Sequence, residues 1–389
     1  MTRIAGGPLE GIRVIELTHA IAGPHTGQML ADHGADVIKV EPPGGELARF
    51  AYPSIDDESV YFASHNRGKR SVELDLKSEV ARTALRRLAE TADVLVTNYA
   101  DGVPARLGFG HVELREANPR LVYAHITGFG VNADWAPPRA FDGVIQAMSG
   151  IADLTGPAEG GPTFTGLFPA DHLAANQTVI AILMALHERQ RTGRGAFLPI
   201  SMLDTYQSIL GHEVGMAREG VPMRRHGNSI PGSFGDVFET ADGAAFISPI
   251  AQPAWERFWE ALGRPSRAFE ISYEESVGEP YEALHAEVSA WTRARTTEEV
   301  TKTMSAAGIP NGPVLTVTEA ADHMASPDRR RLMRVRAPGG REFDVAMSPI
   351  PVARAEDALA RAVPAIGEHT REVLAEVLGP EELAALDGE

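Results

Sequence analysis

Hydrophobic and polar positions follow two rhythms along the first 200 residues. Residues 12–17 form a short apolar run that predicts a strand. Residues 24–33 have helical spacing, and 35–41 predict a second strand. Together they make a βαβ unit, whose right-handed crossover sets the two strands parallel. Ser78 is placed to cap a helix running through Ala92, with Val80, Leu85, Leu88 and Ala89 at helical spacing. Residues 93–97 read as a buried strand, and Leu114 to Ala117 lie in a short helix. Residues 121–127 read as another strand, ending in Gly128-Phe129-Gly130. Residues 171–190 predict a long helix, with apolar Leu173, Ala174, Val179, Ile180, Leu183, Met184 and Leu186, and Thr192-Gly193-Arg194-Gly195 stops it. A strand over 197–201 and a helix over 202–211 follow. This alternation predicts a doubly wound α/β domain.

The rhythm then changes. Residues 221–235 are rich in Gly, Pro, Arg and Ser and predict a linker. From Asp236 the pattern is strand, turn at Ala241-Asp242-Gly243, strand, then helices at 253–262 and 296–307. Residues 225–318 therefore read as a smaller α+β domain and 318–330 as a second linker. A strand at 342–347 and a terminal helix near 368–378 place 330–389 back on the large domain of 1–220. The longest notable apolar run, Thr178 to Leu186, is far short of the ~20 residues of a membrane helix. The opening Met1-Thr-Arg-Ile-Ala-Gly-Gly lacks a signal pattern, so a cytoplasmic protein is expected.

Composition narrows the chemistry. The 389 residues include 53 acidic and 36 basic side chains, a net charge of −17, and no cysteine. The absence of cysteine excludes disulfides, thiolate metal sites and a thiol nucleophile. The negative charge argues against nucleic acid or an anionic membrane as partner. Any anionic ligand must meet a local concentration of positive charge.

Several sites are excluded by inspection. There is no Gly-x-Ser-x-Gly elbow. His212-Glu213 is followed by Val, Gly and Met, so the two-histidine zinc motif is missing, and no P-loop precedes Gly68-Lys69. Glu41 ends the second strand where a ribose-binding acid would sit. Gly23 and Gly27, with Pro24 between them, do not form Gly-x-Gly-x-x-Gly, so a dinucleotide site is not expected. Asp171 follows Pro169 and opens the long helix. It reads as an N-cap aspartate, ionised at neutral pH by the helix end, and equally as an exposed carboxylate nucleophile. His65-Asn66-Arg67-Gly68-Lys69-Arg70, with Lys77 close behind, reads as a solvated loop or an anion cradle. Arg106 is a second cationic candidate. His19 and His125 stand near strand ends, where open α/β sheets bind ligands.

Three motifs resemble the class III CoA-transferases, the family of formyl-CoA and carnitine CoA-transferases. They are Leu17-Thr18-His19-Ala20-Ile21-Ala22-Gly23-Pro24, Gly34-Ala35-Asp36-Val37-Ile38-Lys39-Val40-Glu41 and Lys69-Arg70-Ser71-Val72-Glu73-Leu74-Asp75-Leu76-Lys77. Asn118-Pro119-Arg120-Leu121-Val122-Tyr123, Phe141-Asp142-Gly143-Val144-Ile145-Gln146-Ala147-Met148-Ser149-Gly150 and Arg191-Thr192-Gly193-Arg194-Gly195 are similar too. So are Gly308-Ile309-Pro310-Asn311-Gly312-Pro313-Val314 and Gly367-Glu368-His369-Thr370. The resemblance implies a Rossmann-like large domain, a smaller α+β domain and an intertwined homodimer. It places the catalytic aspartate on Asp171. The CoA contacts would fall on His19, Ile21, Ala22, the stretch from Leu74 to Lys77, Asn98, Tyr99, Arg106, and Arg139, Phe141 and Asp142. Pro42 replaces an arginine often found after the Glu41 equivalent. The glycine-rich lid of formyl-CoA transferase is missing, with only Pro231-Gly232-Ser233-Phe234-Gly235 nearby.

The implied reaction moves CoA from an acyl-CoA thioester to a small carboxylic acid through an aspartyl-CoA thioester. It needs no metal and no permanently bound cofactor. The alternative is the α-methylacyl-CoA racemase branch, which shuttles a proton beside the thioester with an acid/base pair. That branch has a histidine where this chain has Phe141, so His125 or His172 would have to substitute. A non-catalytic acyl-CoA scaffold is a third reading, and retention of Asp171 argues against it.

Overall fold

The computed structural model describes residues 7–137, 139–350 and 361–387. The chain divides into two compact units. One takes the residues up to Ile151, Thr165–His212 and those from Pro327 onward; the other takes Ala152–Phe164 and Glu213–Ser326.

The first unit is built on six parallel strands: β1 (Arg13–Leu17), β2 (Asp36–Glu41), β3 (Arg70–Glu73), β4 (Val94–Thr97), β5 (Val122–Thr127) and β6 (Phe197–Ser201). Their order is β3-β2-β1-β4-β5-β6, so the direction of winding reverses between β1 and β4. Side chains alternate between two cores. Val14, Val94, Val96, Val122 and Ala124 face one, while Ile15, Leu95 and Tyr123 face the other. Both faces are covered, which is why the strands read as continuous apolar runs.

Helix α1 (Ala22–Asp32) and the long α6 (Pro169–Thr192) cover the first core. Helix α3 (Glu79–Glu90) covers the second. It is capped by Ser78, whose Oγ accepts from the Ala81 N–H at 3.4 Å. Helices α2 (Val60–Asn66), α4 (His111–Ala117) and α5 (Asp142–Met148) fill the connections. Beyond Pro327 the chain adds a small sheet, with β10 (Leu332–Arg336) between β11 (Glu342–Ala346) and β12 (Arg361–Ala362). Helix α10 (Thr370–Leu374) follows.

The outer edge of β3 is closed by this last segment. His369 N–H donates to Ser71 O (2.9 Å), Glu73 N–H donates to Thr370 Oγ1 (2.9 Å), and Arg70 pairs with Glu376 (2.9 Å). Edge strands need such cover, because their free backbone groups otherwise template pairing with other chains.

The second unit holds an antiparallel sheet in the order β9-β8-β7, from β7 (Asp236–Glu239), β8 (Ala244–Ile247) and β9 (Asn311–Pro313). Three helices pack on it: α7 (Gln252–Ala261), α8 (Tyr281–Arg293) and α9 (Thr297–Ala306). Trp255, Trp259, Phe258, Phe234 and Phe238 form its aromatic core. Residues 318–330, expected as a linker, carry a helix at Val317–Ala325. A reciprocal capping box between Thr316 and Glu319 opens it. No helix among the described residues is long and apolar enough to cross a membrane.

Candidate active site

The carboxyl ends of β1, β4, β5 and β6 open onto a cavity of ≈ 680 Å³ in the first unit. Its lining includes His19 and Ala20 after β1, Asn98 and Asp101 after β4, and the loop from Gly128 to Phe141 after β5. Met202 after β6 and Asp171 on α6 complete it. This is the place that a reversal of strand order opens in a doubly wound sheet.

The β1–α1 turn is fixed from both sides. Asn98 Oδ1 accepts from the His19 N–H (2.9 Å), and its Nδ2 donates to His19 O (2.8 Å). Glu46 Oε2 accepts from the Ala20 N–H (3.1 Å). Ala20 is held at φ 61, in the left-handed region that side chains rarely adopt. The turn leaves the Ala22 N–H directed at the carboxylate of Asp171.

Asp171 is not the N-cap that its sequence position predicts. Phe168 takes that place, Pro169 is the first helical residue, and Asp171 stands third, in the first turn. The capping work falls to Asp142. Its Oδ2 accepts the N–H groups of Ala170 (2.8 Å) and Asp171 (3.2 Å), and its other oxygen is held by Gln146. Gln146 is in turn fixed by Leu167 O (3.2 Å) and the Thr165 N–H (3.1 Å). Asp142 thus serves two of the donors that α6 leaves open at its start.

The expected ionisation of Asp171 is also corrected. Burial, and after it the neighbouring Asp142 carboxylate, raise its carboxyl to about 7, with the Ala22 N–H pulling the other way. The attraction of the helix end for an anion is outweighed, because a second carboxylate already occupies that end. Tyr61 is nearby, its hydroxyl raised above the ordinary tyrosine range by burial and by Asp171.

Of the residues expected to touch CoA, His19, Asn98, Arg139 and Phe141 line the cavity together with Asp171. Phe141 is 66 % exposed, a large apolar surface at the mouth of a polar site. Arg139 is exposed and makes no ion pair among the described residues, as do Lys77 and Arg106 outside the cavity lining. Ile21, Ala22 and Leu74 are buried, Tyr99 is half-buried, and none of the four lines the cavity. Asp142 is 2 % exposed, with its carboxylate turned to the start of α6. His125 is buried, its Nε2 lies 2.8 Å from Tyr99 O, and it does not line the cavity.

The basic run from His65 to Arg70 is neither a solvated loop nor an anion cradle. Arg67 pairs with Asp32 (2.7 Å), Lys69 with Glu16 (2.8 Å) and Arg70 with Asp36 (2.6 Å), all three cations being buried. Glu16 also holds the buried Lys39 (3.1 Å). Burial pushes Lys69 down to about 8 against the pull of Glu16. Glu41, the carboxylate that might have suggested a ribose contact, is buried against Arg49 (2.5 Å) and Ser71.

Sequence reading gave no role to Gln146 or Tyr61 and did not bring His25, His65 and His172 together. Gln146 orients Asp142, and its position one helical turn on from Asp142 was the only available signal. Tyr61 carried none. Beside Asp171, the rings of His25, His65 and His172 converge, each residue offering a nitrogen within 4.8 Å of the others, a set able to hold a metal ion. Burial holds His25 down at about 4 and His65 at about 3, so both rings are neutral near pH 7.

The sequence matches the family described as CoA-transferase family III over residues 9–370. Succinyl-CoA:mesaconate CoA-transferase of Haloarcula marismortui is 37% identical over 382 residues, covering 95% of this chain and 96% of that protein. Succinate–glutarate CoA-transferase of Agrobacterium fabrum is 33% identical over 386 residues, covering 95% of this chain and 96% of that one. The crystal structure of a CAIB/BAIF family protein from Brucella suis superposes with a TM-score of 0.83 at 32% identity, covering 96% of this chain and 100% of its own.

Proposed function

The chain belongs to CoA-transferase family III, and from that premise we propose that it transfers coenzyme A from an acyl-CoA to a free carboxylic acid, with Asp171 as nucleophile. The observation that carries this reading is Asp171 itself. A half-buried carboxylate, titrating near neutrality, lines a cavity at the carboxyl edge of a parallel sheet.

In the proposed cycle an Asp171 oxygen attacks the thioester carbonyl, and the carbon–sulfur bond breaks to release CoA thiolate and leave a mixed anhydride. The thiolate then attacks the aspartyl carbonyl, expelling the donor carboxylate and forming an aspartyl-CoA thioester. The acceptor carboxylate attacks that thioester, releasing thiolate again. Attack of the thiolate on the acceptor's own carbonyl gives the new acyl-CoA and frees Asp171. One hard exchange is split into easier ones. Asp142 and the Ala22 N–H hold the nucleophile in place.

The relatives' names point to small carboxylic acids, dicarboxylates among them, as the class of acceptor. Lys77, Arg106 and Arg139, exposed and without an ion pair among the described residues, are the cations we assign to the phosphates of CoA. A homodimer is supported by the apolar side chains that α6 leaves in solvent, with Met184 67 % exposed beside Ile180 and Leu183. Light scattering on a sizing column should return twice the chain mass. A monomer mass across the working concentration range would remove the dimer from the proposal.

Incubation with a panel of acyl-CoAs, borohydride trapping and peptide mass spectrometry should find an adduct on Asp171. Asp171→Ala should abolish exchange while CoA binding stays within a few fold. Turnover without any adduct on Asp171, or exchange surviving in Asp171→Ala, would refute the covalent route.

A further inference from the structure

His25, His65 and His172 come from three helices, α1, α2 and α6, and the transfer cycle uses none of them. Their tautomers are fixed by their surroundings. His65 Nδ1 lies 2.9 Å from Tyr61 O, and His172 Nδ1 lies 2.7 Å from Phe168 O. A backbone carbonyl can only accept, so both Nδ1 atoms carry the proton. His25 Nδ1 lies 2.8 Å from Gln28 Oε1. The Gln28 amide nitrogen is committed to the Asp32 carboxylate, and Asp32 to Arg67. Gln28 therefore presents its oxygen, and His25 Nδ1 is a donor as well.

A ring that carries its proton at Nδ1 is left with a bare lone pair on Nε2. The Nε2 atoms of His65 and His172 face each other at 3.5 Å. With both protons committed at Nδ1, no hydrogen bond joins them. Two lone pairs opposed at that distance repel unless a positive charge lies between them. In a tetrahedral site with metal–nitrogen bonds of about 2.0–2.1 Å, two ligand nitrogens stand about 3.3 Å apart. The observed pair is close to that spacing, and His25 offers a third nitrogen within 4.8 Å of both.

The outer contacts fit the same reading. Metal-binding histidines typically donate their second nitrogen to a carbonyl or carboxylate, which fixes the ring and raises its basicity. All three rings here have such an acceptor. The nearby cations do not oppose a dication strongly, because Arg67 is paired with Asp32 and Lys69 with Glu16.

We propose that His25, His65 and His172 form a binding site for one divalent transition-metal ion of the zinc class, tying α1, α2 and α6 together next to Asp171. Three neutral imidazoles suit zinc, cobalt, nickel or copper rather than magnesium or calcium, which take oxygen ligands. Three protein ligands leave one coordination position open. The proposal does not depend on the transfer chemistry.

The test uses the full-length protein, stripped with a chelator and titrated with cobalt(II). The expected result is one cobalt per chain, with the intense visible absorption of a tetrahedral nitrogen site. Zinc should displace the cobalt and raise the melting temperature. His65→Gln should weaken cobalt binding by at least about 100-fold, and Gln28→Leu, which leaves all three ligands in place, by about tenfold. Cobalt binding without tetrahedral absorption, or binding undiminished in both variants, would overturn the site. Absence of a stoichiometric cobalt signal in the wild type would overturn it whatever the variants do.

Discussion

At the scale of single residues the telling pair is Asp142 and Asp171. Asp171 titrates at about 7 in the fold against an ordinary 3.8, so the folded protein holds its proton more tightly than the unfolded chain does. Its contribution to stability is therefore complete below about pH 4 and lost as pH rises through about 7. Asp171→Asn, neutral throughout, should gain melting temperature over the wild type steadily across that window. A difference that stays flat with pH would refute the shift. Asp142→Asn should move the inflection of the exchange rate to lower pH, because it removes the neighbouring like charge. The position of Asp171 was readable from Pro169 and the apolar run behind it. Its ionisation was not, because burial, the larger cause, and Asp142, 29 residues away, both act only once the chain has folded. The charges of the basic run were misread for the same reason. The partners Glu16, Asp32 and Asp36 are distant in sequence, and only folding brings them to Lys69, Arg67 and Arg70.

At the scale of elements, strands and helices with strong periodicity were legible to within a few residues. Those without it were not. Helix α2 is short, and its buried face is supplied by Phe62, Ala63 and Asn66, too few positions to show a period. Helix Val317–Ala325 has no buried residue, although Val317, Ala320, Ala321 and Met324 recur at helical spacing, so its apolar stripe was legible and was not read. Its capping box was visible as Thr316 and Glu319 but was passed over as linker. The seat of α1 on β1 was likewise invisible. A Cβ on Gly27 would lie 1.7 Å from Glu16 Oε2, and Glu16 cannot retreat because Lys39 and Lys69 hold it. Gly27→Ala should therefore lower unfolding stability by about 1–3 kcal/mol, measured by denaturant titration. An unchanged midpoint would show that the contact relaxes freely.

At the scale of the whole molecule the two units carry different optical reporters. Trp255, Trp259 and Trp291 belong to the second unit, and Trp135 alone to the first. Removing the chain from Pro327 onward takes away the third segment of the first unit and the cover of β3. The far-ultraviolet circular dichroism should then show loss of structure in the first unit. The blue-shifted emission of the buried Trp255 and Trp259 should persist. Loss of both signals together would show that the units fold only as one.

The closing of β3 by His369, Thr370 and Glu376 also sets an order of events during synthesis. The ribosome finishes the second unit before it has made the residues that cover the β3 edge. For that interval the largest sheet among the described residues carries a bare edge at β3. On that side of the sheet, the hazard of self-association is then confined to the time needed to translate the last segment. Slow codons or stalled ribosomes downstream of Pro327 would lengthen it, and chaperone demand should track that delay more closely than it tracks the stability of the finished protein.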